Sequence, residues 1–320
     1  MYKFEVFICI QLLLICVSCG KHNKVDKADI GVKKNISVVV ENQEDLFQQS
    51  LKDTVENIDS EAVNMLKEFY ATELKPIIRK EKELKKDYAK YFTKAMRSKI
   101  WRMTWDAGAS MVIRAQDVPE DSCETLKIEP LGNSWYMVHY AYSRGTPYEG
   151  TKEIPVRVVK EDGEYRVGYI TPESLGQQFG DSLWYSGDTF PKVDRNEPLD
   201  FVKSFYDFYT LKHSTLSENL LQELAVIRAE YLTPNALFRF NKMEELSRND
   251  GYPEYDALIG RHDFEFPYRN NVWVHPTDKP DAFQVGVTGD TILINVVKQE
   301  DEYYINDIYN KEFESFLPIE

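Results

Sequence analysis

The chain has 320 residues and carries 39 Lys and Arg against 53 Asp and Glu, a formal net charge of −14. Such an acidic balance excludes nucleic acid as a partner, because that binding rests on phosphate neutralisation by Lys and Arg; it equally excludes docking on a membrane through a basic patch. Hydrophobic residues make up 42% and aromatic residues 13% of the chain, enough to build real cores, and the length suits two domains of ordinary size.

The first segment reads as an export signal. Lys3 supplies a thin positive start, with Glu5 an untypical neighbour, and an apolar run follows from Val6 to Ile15, broken only by Gln11. A membrane span needs about 20 apolar residues, so this run is too short to cross and suits the apolar region of a signal peptide. It ends in Cys16-Val17-Ser18-Cys19-Gly20, with Ser18 and Gly20 flanking Cys19. That stretch resembles the lipobox of bacterial lipoproteins. The resemblance implies removal of residues 1–18 and lipidation of Cys19, and hence attachment to the membrane through acyl chains, each buried methylene contributing about 0.8 kcal/mol. Gly20 stands where the inner-membrane retention pattern has Asp, and Lys21-His22-Asn23-Lys24 lacks an acidic export cluster. The implied address is the periplasm-facing side of the outer membrane.

Residues 19–57 are polar and without helical periodicity, and read as a flexible tether behind the lipidated Cys. Of the four cysteines, Cys9 and Cys16 leave with the signal and Cys19 is acylated, so Cys123 has no partner for an internal disulfide.

Beyond the tether the chain repeats itself. Leu66-Lys67-Glu68-Phe69-Tyr70 recurs as Val202-Lys203-Ser204-Phe205-Tyr206, and Tyr91-Phe92-Thr93 as Tyr231-Leu232-Thr233. Ile113 to Asp117 matches Ile259 to Asp263, and Val158 to Tyr165 matches Val296 to Tyr303. The order is kept at nearly constant spacing, with changes falling where loops tolerate insertion. Residues 58–172 and 196–320 are therefore expected to be two α+β domains, the second ending in a short tail. Residues 173–195 form the linker, part of which packs through Leu183-Trp184-Tyr185.

Within the first copy, Ala62, Val63, Leu66, Phe69, Tyr70, Leu74 and Ile77 repeat at helical spacing, and Leu84 to Met103 reads as a second helix. In the second copy, Pro198-Leu199-Asp200 opens a helix to about Lys212, Ser217 to Glu230 is the next, and Thr233-Pro234 opens a third. After the helices the period becomes two. Strands are expected over 135–142, 155–160 and 165–170, the last pair joined by a hairpin at Asp162-Gly163, and over 283–288, 291–298 and 303–308. Helices followed by antiparallel strands make an α+β domain in which the sheet lays one apolar face on the helices.

With these motifs in view, the chain resembles the bacterial lipoproteins grouped as domain of unknown function 3828, present here in two tandem copies. The middle motif stands as Tyr255-Asp256-Ala257-Leu258-Ile259-Gly260-Arg261-His262-Asp263 in one copy and as Ala109 to Asp117 in the other. Copy one has Ser110 where copy two has Asp256, and copy two has His262 where copy one has Gln116. The resemblance implies a cystatin-like, nuclear transport factor 2-like fold, in which helices pack on a curved antiparallel sheet. It implies no activity, because that superfamily holds isomerases, dehydratases, immunity proteins and binding domains, and function must come from the site.

None of the five histidines stands at metal-ligand spacing from another His or Cys, and neither a Gly-rich phosphate loop nor a serine-hydrolase elbow is present. No cofactor or metal is implied. The candidate chemistry is an acid–base pair inside a cone: His139 with Asp117 in copy one, with Asp256, His262 and Asp263 in copy two, and Trp101 and Trp105 lining the pocket. The plainer reading has Asp117 and Asp263 hydrogen-bonding backbone amides in turns, and the tryptophans in the core. What both copies keep is apolar or turn-forming. The expected function is that of a non-enzymatic lipoprotein binding a periplasmic or envelope protein or another envelope component. The alternatives are a small-ligand or isomerase/dehydratase-like cone pocket and an immunity protein against a toxin.

Overall fold

The computed structural model describes residues 60–74, 88–107, 109–115, 122–249 and 255–310. The export signal, Cys19, the tether and Asp117 lie outside the described residues. In the first copy α1 is Ser60–Glu73, α2 is Tyr88–Tyr91 and α3 is Lys94–Ala107; strands follow as β1 Lys127–Gly132, β2 Trp135–Tyr142, β3 Gly150–Glu161 and β4 Glu164–Ile170. The second copy repeats the order with α4 Pro198–His213, α5 Leu220–Tyr231, α6 Pro234–Asn249, β5 Trp273–Pro276, β6 Ala282–Val287, β7 Asp290–Gln299 and β8 Glu302–Asn310. The fold is α+β, with two four-stranded antiparallel sheets ordered β1-β2-β3-β4 and β5-β6-β7-β8.

The recurring motifs have identifiable physical causes. Leu66, Phe69 and Tyr70 on α1 and Val202, Phe205 and Tyr206 on α4 are the faces that bury against the sheets. In the Tyr-hydrophobic-Thr motif, the Thr93 hydroxyl accepts the Met96 amide at 3.2 Å and the Thr233 hydroxyl accepts the Ala236 amide at 3.2 Å, capping α3 and α6. The same threonines donate their own amides to the last strand, to Val167 at 3.1 Å and Ile305 at 2.9 Å. One residue thus starts a helix and pins it to the sheet. The middle motif closes a small turn, with Ser110 bridged to Ala115 and Asp256 to Arg261. Its left-handed position is Arg114 (φ 48°) in one copy and Gly260 (φ 69°) in the other. Both sheets are offset at the matching place, after Arg157 in β3 and after Asn295 in β7, and the first is offset again between Pro130 and Gly132 in β1.

The hairpin at Asp162-Gly163 forms as expected, both residues having positive φ. Three expectations need correction. The helix expected over 84–103 is, from Tyr88 onward, two helices broken at Phe92-Thr93, because Thr93 leaves the helix to cap the next one. The helix expected from Ser217 begins at Leu220. Each sheet has a fourth strand, β1 or β5, that the alternation did not reveal; β1 contains Pro130 and Gly132, and β5 has only four residues.

Each copy has its own core between helices and sheet, one around Phe69, Tyr70, Phe92 and Val138, the other around Phe205, Tyr206, Tyr209 and Val285. The linker forms a third cluster on the opposite face of the first sheet, where Leu175, Leu183 and Trp184 cover Trp135 and Tyr169. Trp135 and Trp184 stack with centroids 6.3 Å apart. Leu216 and Tyr268 of the second copy pack against this cluster, and the described residues from Ser60 onward belong to one compact unit.

Candidate functional site

The densest chemistry lies where the copies meet. Lys99, Arg102 and Asp106 follow one another at three and four residues along α3 and so share one face. Opposite them runs the extended segment Arg261-His262-Asp263-Phe264-Glu265. Alternate side chains of extended backbone point opposite ways: Phe264 enters the second core, while Asp263 and Glu265 turn toward α3.

The Lys99 ammonium lies 2.6 Å from Asp263 Oδ2 and 2.9 Å from Glu265 Oε1. Arg102 Nε donates to Asp263 Oδ1 at 3.2 Å. The carboxylate of Asp106 accepts the amides of His262 at 2.8 Å and Asp263 at 3.0 Å, and Arg261 Nε at 3.3 Å. Tyr169, at the end of the first sheet, donates to Glu265 Oε2 at 2.5 Å. Burial pushes the Asp263 carboxyl up, but Lys99 and Arg102 outweigh it and hold the pKa below the usual value. Glu265 and Asp106 end up raised, because burial exceeds what Lys99 and Arg261 respectively return. Lys99 is raised: burial works against its charge, and Asp263 and Glu265 more than offset that.

A second buried group adjoins the first. Asp256 Oδ1 accepts the Leu258 amide at 2.9 Å, which holds the middle turn, and Oδ2 accepts the Tyr209 hydroxyl at 2.5 Å. Arg228 donates to that hydroxyl at 3.1 Å and to Glu244 at 2.8 Å, with its guanidinium 4.5 Å from the Phe240 ring centre. His213 Nε2 is 3.7 Å from Asp256 Oδ2, and burial pulls the imidazole pKa down to about 4.

Beside the first group opens a cleft of about 250 Å³ whose walls include Met103, Asp106, Met111, Glu173, Arg261 and Tyr268. Asp106, Asp263, Glu265 and Arg261 each already hold an opposite charge within 3.3 Å. The chemistry available here is therefore cohesion: the charges weld α3 of the first copy to the 261–265 segment of the second.

The residues singled out by sequence fall into separate places. His262 and Asp263 belong to the junction, His262 through its main-chain amide, while its ring meets Tyr255 edge-on at 5.4 Å; Asp256 lies in the buried group inside the second copy. The expectation that Asp263 serves a turn is overturned, because its carboxylate is spent on Lys99 and Arg102; Asp256 is the one that holds a turn. His139 sits on the outward face of β2, since Val138 and Tyr140 on either side of it enter the core. Its ring nitrogens face Glu129 at 3.2 Å and Glu153 at 3.4 Å. Trp101 is 52% exposed on α3, so it is not a core residue. Trp105 is on the same helix, with its side chain outside the described residues.

Lys99, Arg102, Asp106, Glu265, Tyr169 and His213 were missed. The available signal was the charged stripe at three and four residues on α3, facing an Asp-x-Glu alternation. Among the described residues no group of three or more His, Cys, Asp or Glu is arranged to hold a metal ion, and no helix is long and apolar enough to cross a membrane.

No family model matches the chain, and no curated protein matches it. It is similar to a protein of unknown function from Bacteroides thetaiotaomicron whose crystal structure is known, at 32% sequence identity. The match covers 39% of this chain and 99% of that one, with a TM-score of 0.33.

Proposed function

We propose that this chain is a non-enzymatic lipoprotein of the bacterial envelope. Residues 1–18 direct export, Cys19 carries the lipid, and residues 19–57 hold the folded part off the periplasm-facing side of the outer membrane. The folded part, two tandem domains of cystatin-like, nuclear transport factor 2-like type, binds a protein or another component of the envelope. The observation that carries this reading is the use of charge at the junction. The ionisable side chains that meet there pair with each other across the two copies, at 2.6 to 3.3 Å, and so serve to present both copies as a single surface. A lipid anchor suits such a body, since confinement to one surface raises the effective concentration for any partner on it.

The test begins with the anchor. Cells expressing the full chain are fed labelled palmitate, and the label is expected on the wild type and absent from Cys19→Ala. Cross-linking in intact cells is then expected to trap an envelope partner with the labelled form and to lose it with the unanchored one. An unlabelled wild-type chain, or trapping indifferent to the anchor, overturns the reading.

A further inference from the structure

The two copies treat the outward face of their sheets differently. In the first, Leu175, Leu183 and Trp184 cover Trp135, which is 2% exposed. On the second sheet, the outward face holds Trp273, Leu293 and Tyr309 at 41%, 36% and 40% exposure. His275, Gln284 and Thr291 are exposed on the same face, placed there by the pairings Trp273–Gly286–Thr291 and His275–Gln284–Leu293–Tyr309. The Trp273 ring lies on Gly286 of the neighbouring strand, since a β-carbon at Gly286 would collide with the indole. His275 braces it edge-on at 4.7 Å. The indole is thus held as a platform by Gly286 and His275 while remaining 41% exposed.

From this geometry we infer that the outward face of β5–β8 binds an uncharged glycan chain of β-linked hexose or N-acetylhexosamine units. The inference rests on the reading of the chain as an envelope-binding protein and names the class of component bound. Charge selects the ligand first: in a chain of net charge −14, none of these six residues is Asp, Glu, Lys or Arg. An anionic polymer meets a repelling molecule, a cationic one finds the nearest carboxylates, Asp307 and Asp281, already held by Arg239 and Asn295, and a neutral chain matches the face. Polarity selects next. An apolar peptide segment would strip water from Gln284, Thr291 and His275 without pairing them, which is costly. A pyranose ring instead offers a C–H face to an aromatic ring and equatorial hydroxyls to amide, hydroxyl and imidazole groups. Gly286 and Tyr309 lie two strands apart and two residues out of line, about 12 Å, slightly more than one disaccharide.

Isothermal titration of the full-length lipoprotein in an uncharged, sugar-free detergent tests this, with chitotetraose and cellotetraose as neutral probes and tetragalacturonate as the charged one. One neutral probe is expected to bind, and Trp273→Ala and Tyr309→Ala are each expected to weaken it about tenfold or more. Gly286→Ala, which keeps both rings but displaces the indole, is expected to do the same, while Trp101→Ala on α3 leaves binding unchanged. Circular dichroism confirms folding, and Trp273→Phe, expected to bind between wild type and Trp273→Ala, serves if the alanine variant does not fold. No binding of either neutral probe at millimolar concentration, preference for tetragalacturonate, or binding indifferent to Trp273 and Tyr309 overturns the inference. Palmitate labelling of the same preparation separates the two claims: a labelled protein that ignores glycans removes only this inference, whereas an unlabelled one removes the anchor.

Discussion

The Lys99 ammonium and the Asp263 carboxylate, 164 residues apart in the chain, meet at 2.6 Å with each side chain 3% exposed. Two groups that would otherwise be solvated have been buried at a junction, and each is tolerable only because the other is present. Lys99→Met should therefore leave Asp263 and Glu265 buried with less opposing charge and cost about 3–5 kcal/mol. The midpoint of urea unfolding measures this. The triple variant Lys99→Met, Asp263→Asn, Glu265→Gln removes the stranded charges and should recover a large part of the loss.

The pH dependence follows from His213, whose folded pKa is about 4 against an ordinary 6.5. Because the folded value is the lower one, the contribution is complete above pH 6.5 and is lost as pH falls toward 4, the unfolded chain taking the proton first. The loss amounts to about 3 kcal/mol. Asp263, held below its usual value, adds a further loss at lower pH, whereas Glu265 and Asp106, both raised, act in the opposite sense. His213→Gln should flatten the fall between pH 6.5 and 4 in unfolding measured at a series of pH values.

Arg114 ties the first copy to its linker, donating to the carbonyls of Glu153 at 2.7 Å, Thr171 at 2.8 Å and Gly176 at 2.9 Å. It does so from a left-handed backbone, at the position where the second copy has Gly260. Arg114→Ala strands three carbonyls and should cost about 3 kcal/mol or more. Arg114→Gly loses the same bonds but relieves the backbone, so it should be less destabilising by about 1 kcal/mol. Thermal or urea unfolding of the pair isolates that difference.

Thr93 and Thr233 carry the same double duty in the two copies, so Thr93→Ala and Thr233→Ala should each lower stability by about 1 kcal/mol. Equal effects, read by urea unfolding, would show that the repeated motif does repeated work.

What was legible in the sequence is what depends on neighbours along the chain. The stripe Leu66, Phe69, Tyr70, the alternation in Trp135 to Tyr142 and the Asp162-Gly163 turn are local patterns, and Thr233-Pro234 marks the start of a helix, whereas Thr93 reads as the middle of one. β1 was hidden because Pro130 and Gly132 blunt its alternation, and β5 because four residues are too few to show a period. The junction was hidden for a different reason. Lys99, Arg102 and Asp106 look like the solvated side of an amphipathic helix until a second copy is laid on them, and nothing local distinguishes a charge facing water from one facing Asp263. His139 misled in the converse way: its aromatic strand suggested an interior, but alternation put the ring outside with Glu129 and Glu153.

The buried charges between α3 and the 261–265 segment join the two four-stranded sheets and their helices into a single body. Hydrogen exchange along a urea series measures it most directly, comparing amides of β3–β4 with those of β7–β8. Both sheets are expected to lose protection at the same urea concentration in the wild type. Separate transitions in the wild type would contradict it.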